Sequence, residues 1–371
     1  MSSLSLILLA AGGSTRFALP VRKQWLRVGA QPLWAFVADR FVAAYGFESV
    51  VIAAHPDEVD HMAQLSEHPV VAGGESREAS LLHALEQIKS EFVLVSDVAR
   101  ACVPEAVIRR VIAQMGQADC VVPALKVVDT LSDGQQAIDR DRLWRIQTPQ
   151  LSRTAVLKKA LQTRSGYTDE STLIAACGGR VIQVEGDERS AKLTFGSESL
   201  GCLPPPSTQT LVGQGFDVHA FEAGKPMVLC GVPIESEVGF KAHSDGDVAL
   251  HALIDAILGA AGLGDIGELF PDSDAAYAGA DSALLLKKVL DRVHGMGFEL
   301  RGVDLTVMAQ APKLSAYKPA MRRRLATLLG LGAERVNLKA TTTERLGFVG
   351  REEGVAVLAL ANLGYFDWRC V

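Results

Sequence analysis

The chain opens on a run, Leu4–Ala10, whose hydrophobic positions follow one another instead of recurring every third or fourth residue, the pattern of a strand buried on both faces. A helix is predicted through Leu33–Tyr45, a second apolar strand over Ser49–Ala54, a helix over Ser80–Lys89, and strands at Phe92–Ser96 and Cys120–Leu125. Alternation of this kind predicts an α/β domain with a mostly parallel, doubly wound sheet. Ligands gather at the carboxyl ends of such strands. That rule puts the loop after Ala10, the Asp97–Arg100 segment and Thr130 on one rim, where the topology predicts that they converge.

Between Gly196 and Thr210 the sequence turns to Gly, Ser and Pro, and Pro204–Pro206 removes three backbone donors. The expected division is a first domain at 1–196, a linker at 197–210 and a second domain at 211–371. The second half predicts a strand at Thr210–Asp217 and a helix from about Asp247 to Ala261, then a Gly-rich loop and the acidic turn Phe270–Asp274. It continues with a helix at Ser282–His294, a strand at Asp304–Ala309, a helix near Pro319–Leu329, and strands at Arg335–Ala340 and Val355–Leu363, an α+β order without internal repeat.

With 371 residues, 48% of them hydrophobic, the chain is long enough for two cores. A formal charge of -6 argues against bulk attraction to nucleic acid or anionic membrane and points to small-molecule partners. Six cysteines without C-x-x-C spacing suit reduced thiols in a cytoplasm. Leu4–Ala11 imitates a signal-peptide core, but no basic residue precedes Arg16, and no apolar run approaches the roughly 20 residues of a membrane helix. The expected location is cytoplasmic.

Asp217 and His219 are two residues apart, so a strand carries both on one face, and His251 follows at the start of a predicted helix. Taken singly these are an ordinary turn aspartate and two half-buried histidines; together they form a zinc donor set. Asp, His and His leave one tetrahedral position for substrate, the mark of a catalytic zinc.

Ala11–Gly12–Gly13–Ser14–Thr15–Arg16, followed by Lys23–Gln24, sets backbone amides and two cations directly after a buried strand, which is a phosphate-binding arrangement. Neither a Walker loop nor a dinucleotide fingerprint is present. This loop, Gly73–Arg77, Asp97–Arg100, Val128–Thr130, Thr148–Gln150 and Thr168–Glu170 together resemble the 2-C-methyl-D-erythritol 4-phosphate cytidylyltransferases over the first 195 residues or so. The resemblance implies a nucleotidyltransferase domain that moves CMP from CTP to a sugar-alcohol phosphate, with Mg²⁺ or Mn²⁺ as the metal. It implies catalytic roles for Arg16, Lys23 and Lys192 around the triphosphate and a place for Asp97 near Mg²⁺. Gly12, Gly13, Arg77, Ser80 and Arg100 are then nucleotide contacts, while Asp129, Thr130 and Arg140 hold the methylerythritol phosphate. The bland alternatives are solvated charge for the basic residues and a cap for Asp97. Ala101 stands where the family often has proline, which leaves the turn after Arg100 less defined.

From Gly213 onward, Gly215–His219, Ala242–Asp247, Gly264–Glu268, Phe270–Asp272, Ala309–Lys313 and Lys339–Glu344 resemble the 2-C-methyl-D-erythritol 2,4-cyclodiphosphate synthases. The implied α+β domain closes a cyclic diphosphate on its substrate and releases CMP, with orientation of an intramolecular attack as the main source of rate. On this resemblance Asp217, His219 and His251 hold Zn²⁺ and Glu344 holds a second metal, Mg²⁺ or Mn²⁺. His243 and Ser244 contact phosphate, and Asp265 and Gly267 the ribose or methylerythritol portion. Ala309, Lys313, Thr341 and Thr342 meet the cytidine diphosphate, with Thr342 beside the leaving group, and Phe348 and Arg351 complete the contacts. Asp255 and Asp272 are substrate-site candidates or structural caps, and Thr341–Thr343 also suit an ordinary strand. The family implies homotrimers with sites between subunits.

The whole reads as a bifunctional enzyme of non-mevalonate isoprenoid synthesis. Its two steps are not consecutive, and nothing in the chain resembles the kinase that must act between them. Two rivals remain: a nucleotide-binding scaffold, and an enzyme for another nucleotide or sugar phosphate.

Overall fold

Leu4–Ala10 forms β1, with Leu6, Ile7 and Leu8 fully buried inside an eight-stranded sheet. The computed structural model describes residues 3–14, 17, 19–193, 200–242, 244–271, 273–274 and 279–370. Two units divide the chain: Met1–Pro206 with Asp367–Val371, and Ser207–Phe366.

In the first unit, α1 (Leu33–Ala44) leads to β2 (Val50–Ala54) and β3 (Val70–Ala72), then α2 (Arg77–Glu86) and β4 (Phe92–Asp97). There follow α3 (Glu105–Ile112), β5 (Cys120–Lys126), β6 (Trp144–Ile146), β7 (Gln150–Arg153), α4 (Thr154–Thr163), α5 (Glu170–Ala176) and β8 (Val181–Glu185). The sheet order is β6–β5–β7–β4–β1–β2–β3, with β8 beside β5. The pairs β4–β1, β1–β2, β2–β3 and β8–β5 are parallel, as the buried apolar runs require. By contrast β7 is antiparallel to both of its neighbours and separates β4 from β5. β4 and β5 run in the same direction, so the segment after β5 leaves from the same rim with β7 between them, and it continues as an exposed arm that bears Thr130 and a Leu131–Ser132/Ala137–Ile138 hairpin. Helix α2 starts earlier than Ser80 because the Ser76 side chain caps it, accepting from Ala79 N.

Part of the expected linker is anchored. Leu200 and Leu203 are buried, Gly29 N donates to Pro205 O (3.0 Å), and Cys202 is joined to Cys102 in a disulfide. This corrects the expectation of reduced thiols throughout. The two cysteines lie 100 residues apart, so spacing could not pair them, yet their Cα atoms are 6.5 Å apart, within disulfide reach. Cys120, Cys177, Cys230 and Cys370 are free. Trp368 Nε1 donates to Arg27 O (2.9 Å).

The second unit is a five-stranded sheet in the order β10–β9–β13–β11–β12, from β9 (Leu211–Ala223), β10 (Val238–Phe240), β11 (Phe298–Met308), β12 (Val336–Thr341) and β13 (Gly354–Tyr365). Helices α6 (Val248–Ala261), α7 (Ser282–Gly295) and α8 (Lys318–Leu329) accompany it, and α6 packs on β9 and β13. Strand β9 outruns its prediction. Its odd-numbered positions 213, 215, 217 and 219 share one face, and the first two are glycines because α6 leaves no room for a side chain. A Cβ on Gly213 would strike Ala256 O and Ala260 N, and one on Gly215 would strike Ala252 O and Ala256 N. This approach is what carries His251, on the first turn of α6, to Asp217 and His219.

Gly215→Ala is expected to destabilise the second unit by about 1–3 kcal/mol, the usual cost of overpacking. All four tryptophans (Trp25, Trp34, Trp144 and Trp368) belong to the first unit, so their fluorescence reports it alone. Urea unfolding should show an earlier transition by circular dichroism with the fluorescence transition unmoved; a shared shift or none contradicts the packing argument.

Candidate active sites

In the first unit a cavity of about 320 Å³ opens at the carboxyl ends of β1 and β4. Gly12, Gly13 and Ser14 line it from the loop after β1, Lys23 from a short turn, Arg77 and Ser80 from α2, Asp97 from the end of β4 and Lys192 from the segment that follows Ser190. Ser14 Oγ accepts from Lys23 N (3.0 Å), tying the loop to the lysine-bearing turn. That turn is fixed from behind: Gln24 Nε2 donates to the buried Glu58 (2.9 Å), which also pairs with Arg22. Ser80 Oγ accepts from Gly74 N (3.1 Å) and donates to Ser76 O (2.9 Å), so it shapes the Gly73–Gly74 turn.

Asp97 is buried between two cations. Arg77 Nε donates to Oδ1 (3.1 Å) and Lys192 Nζ to Oδ2 (2.7 Å). Burial raises the carboxyl's pKa, but the Arg77 and Lys192 charges outweigh it and hold the group at about 2. Arg77 is also engaged by Glu170, through Nη1 to Oε1 (2.5 Å) and Nη2 to Oε2 (3.4 Å). Three of the Arg77 donors are thus committed within the protein, and Glu170, 1% exposed, is a site residue that the sequence reading left without a role. Burial raises the Glu170 pKa despite Arg77.

Arg100 does not line the cavity. Its guanidinium donates to Ser190 O (2.7 Å) and Ile146 O (3.2 Å), which fixes the segment leading to Lys192. Asp129, Thr130 and Arg140 lie on the exposed arm, off the cavity, with Arg140 Nη1 donating to Val128 O (2.6 Å). Arg16 falls outside the described residues.

In the second unit Asp217 Oδ2 lies 3.1 Å from His219 Nε2 and 3.3 Å from His251 Nδ1. The three donor atoms fall within 4.8 Å of one another, close enough to share one ion. Burial opposes ionisation of Asp217, yet hydrogen bonds to both imidazoles hold its carboxyl well below the ordinary range. Burial lowers the His219 pKa, and Asp217 more than reverses this. His219 Nδ1 meets Gly246 O (2.9 Å), so that nitrogen is the donor and Nε2 is left for a ligand. His251 Nε2 meets Ser244 Oγ (3.2 Å) and Ser282 Oγ (3.0 Å). Buried Asp247 caps α6, accepting from Ala249 N and Leu250 N and also from Cys230 N and Gly231 N; its burial pushes the pKa up to about 6.

Asp265 caps the turn Ile266–Leu269, accepting from Glu268 N (2.9 Å), and Asp255 accepts from Ile266 N (2.8 Å), so both shape the loop that carries Gly267. His243 and Asp272 fall outside the described residues.

The remaining candidates form a second group at the ends of β11 and β12. Ala309 N donates to Thr341 O (3.0 Å), Thr342 Oγ1 donates to Glu344 (2.9 Å), and Lys313 and Phe348 are exposed nearby in sequence. Arg351 is paired with Glu353 (2.9 Å). Across the sheet Asp217 is in register with Val357, Val307 and Ala340. Three inter-strand spacings put the two groups about 14 Å apart, too far for one small ligand shell. Within one chain, Glu344 does not join the Asp217–His219–His251 set.

The family profile described as 2-C-methyl-D-erythritol 4-phosphate cytidylyltransferase matches residues 4–200, and that of the YgbB family matches 210–364. The chain is 52% identical to the bifunctional enzyme IspD/IspF of Campylobacter curvus, over 99% of this chain and all of that one. It is 51% identical to the enzyme of the same name from Sulfurovum sp., over the whole of both. The solved structure of the bifunctional IspDF from Campylobacter jejuni aligns with a TM-score of 0.94 at 50% identity, over 99% of this chain and all of that one.

Glu170→Ala leaves the Arg77 charge buried with one partner instead of two. The expected loss is about 3–5 kcal/mol of first-unit stability, the usual result of halving a buried pair. Tryptophan fluorescence in urea measures it; a loss under about 1 kcal/mol would place the pair among weakly contributing surface bridges.

Proposed function

We infer the working of this chain from one premise: it belongs to the family of bifunctional IspD/IspF enzymes. Its first unit is a cytidylyltransferase and its second a cyclodiphosphate synthase, both of non-mevalonate isoprenoid biosynthesis. The first transfers CMP from CTP to 2-C-methyl-D-erythritol 4-phosphate and releases pyrophosphate. The second cyclises 4-CDP-2-C-methyl-D-erythritol 2-phosphate to the 2,4-cyclodiphosphate and releases CMP.

For the first reaction, the amides of Gly12 and Gly13 receive the triphosphate and Lys23 neutralises the charge that builds as the phosphate oxygen attacks. Arg16 is assigned the same task from its place in the loop. Lys192, on a flexible stem and held only by charge and hydrogen bonds, exchanges Asp97 for the incoming triphosphate, which frees Asp97 Oδ2 for Mg²⁺ or Mn²⁺. Arg77 stays with Asp97 and keeps the carboxylate aimed. Its part is therefore to hold Asp97, not to touch the base.

For the second reaction, one carboxylate oxygen and two imidazole nitrogens within 4.8 Å of one another fit Zn²⁺. The bound ion supplies Lewis-acid charge to the diphosphate oxygens. Ser244, beside His251, meets phosphate, and no protein nucleophile is needed because the substrate carries its own. The separation of about 14 Å between this set and Thr341–Glu344 carries the oligomeric reading. A homotrimer places the Ala309, Lys313, Thr341, Thr342 and Glu344 group of one copy, with Glu344 holding Mg²⁺ or Mn²⁺, against the zinc set of the next. Among the described residues no helix is long and apolar enough to cross a membrane, and small soluble substrates suit a cytoplasmic enzyme.

Mixed trimers test this arrangement. His251→Ala and Glu344→Gln chains, each expected to lack CMP release alone, should recover about a quarter of wild-type synthase activity when unfolded and refolded together in equal amounts, because random cyclic assembly pairs intact halves at one interface in four. No recovery, with trimers formed, would mean that each site is built within one chain.

A further inference from the structure

The two imidazoles of the zinc set are oriented in opposite senses. His219 is held by a carbonyl, which only accepts, so Nδ1 carries the proton and Nε2 faces Asp217. His251 turns Nδ1 toward Asp217 and is held at Nε2 by hydroxyls, which can either donate or accept. Something further must decide the direction of that bond.

We propose that Asp245 and Ser282 make this decision, as positioning residues that keep the proton on His251 Nε2 and so leave Nδ1 open to the metal. Ser282, the first residue of α7, is fully buried, and its Oγ donates to Asp245 Oδ1 (2.5 Å) while its amide donates to Oδ2 (3.1 Å). An ionised carboxylate has no proton to offer, so the single Ser282 hydroxyl proton is committed to it. Ser282 Oγ then meets His251 Nε2, 3.0 Å away, with a lone pair, a contact that is favourable only while Nε2 carries the proton; Ser244 Oγ, 3.2 Å from the same nitrogen and already accepting from Gly246 N, is the second acceptor for it. A hydroxyl free of Asp245 could turn its proton onto Nε2. The imidazole proton would then sit on Nδ1, 3.3 Å from Asp217 Oδ2, where it blocks coordination. Asp245 is itself held, its backbone N donating to Ala280 O (3.1 Å).

Asp245→Asn reverses the relay without changing its size. Asp245 Oδ1 also accepts from Asp247 N (3.2 Å), so either placement of the amide turns its NH₂ toward one backbone N–H; with the oxygen kept on Ser282 N, the NH₂ donates to Ser282 Oγ and drives the hydroxyl proton toward Nε2. Ser282→Ala removes the relay, whereas Ser282→Thr retains a hydroxyl.

The inference rests on the zinc reading, and the test separates the two. Zinc dissociation constants are measured on the full-length chain by competition with a chromogenic chelator, with circular dichroism of the metal-free proteins as the check on folding. Asp245→Asn and Ser282→Ala are expected to weaken zinc about 10–100-fold, the usual reach of partners behind a ligand, with Ser282→Thr within about threefold of wild type and the double variant no weaker than the worse single one. Wild-type affinity in folded Asp245→Asn, beside loss in Asp217→Ala, overturns the relay and leaves the zinc site standing. Wild-type affinity in Asp217→Ala overturns the zinc site itself. Should Ser282→Ala unfold, Asp245→Asn decides alone.

Discussion

An aspartate held between two protonatable groups is the interaction on which each unit turns. Asp97 closes β4 between Arg77 and Lys192, and Asp217 lies in β9 between His219 and His251. A buried carboxylate is costly unless paired. Pairing it gathers positive or metal-binding groups around one point of each fold. In both places burial alone would raise the carboxyl's pKa and the partners reverse the outcome, keeping it charged.

Behind each aspartate stands a second layer of polar groups that touches no ligand. Glu170 grips Arg77, Glu58 grips the turn bearing Lys23, Gly246 O fixes His219, and Asp245 with Ser282 fixes His251. These partners come from elements distant in sequence. Glu170 is 93 positions from Arg77, and Ser282 is 31 from His251. Such contacts are costly to leave half made, which ties the shape of each site to the packing of the helices that carry it.

What could be read beforehand followed periodicity. The buried runs of β1, β2 and β4 announced a parallel sheet, and the two-residue step from Asp217 to His219 announced a shared strand face. The inserted strand β7 could not be read, since three of the four residues of Gln150–Arg153 are polar and its burial comes from neighbours on either side. Thr130, on the exposed arm after β5, does not line the cavity. The glycines at 213 and 215 belonged to a motif, but their reason, the backbone of α6, is visible only in three dimensions. Glu170 lay in a motif without a role of its own, Ser282 left no signal beyond its place at a helix start, and Arg100 carried a charge whose use on carbonyls depends on the fold.

The most direct test of the two pinned aspartates exchanges each for its neutral isostere. Asp97→Asn should abolish pyrophosphate release from CTP and 2-C-methyl-D-erythritol 4-phosphate while CMP release by the second unit continues at the wild-type rate, and Asp217→Asn should do the reverse. Either variant retaining its own activity, or silencing both, would contradict an account built on two separate sites each organised by one buried carboxylate.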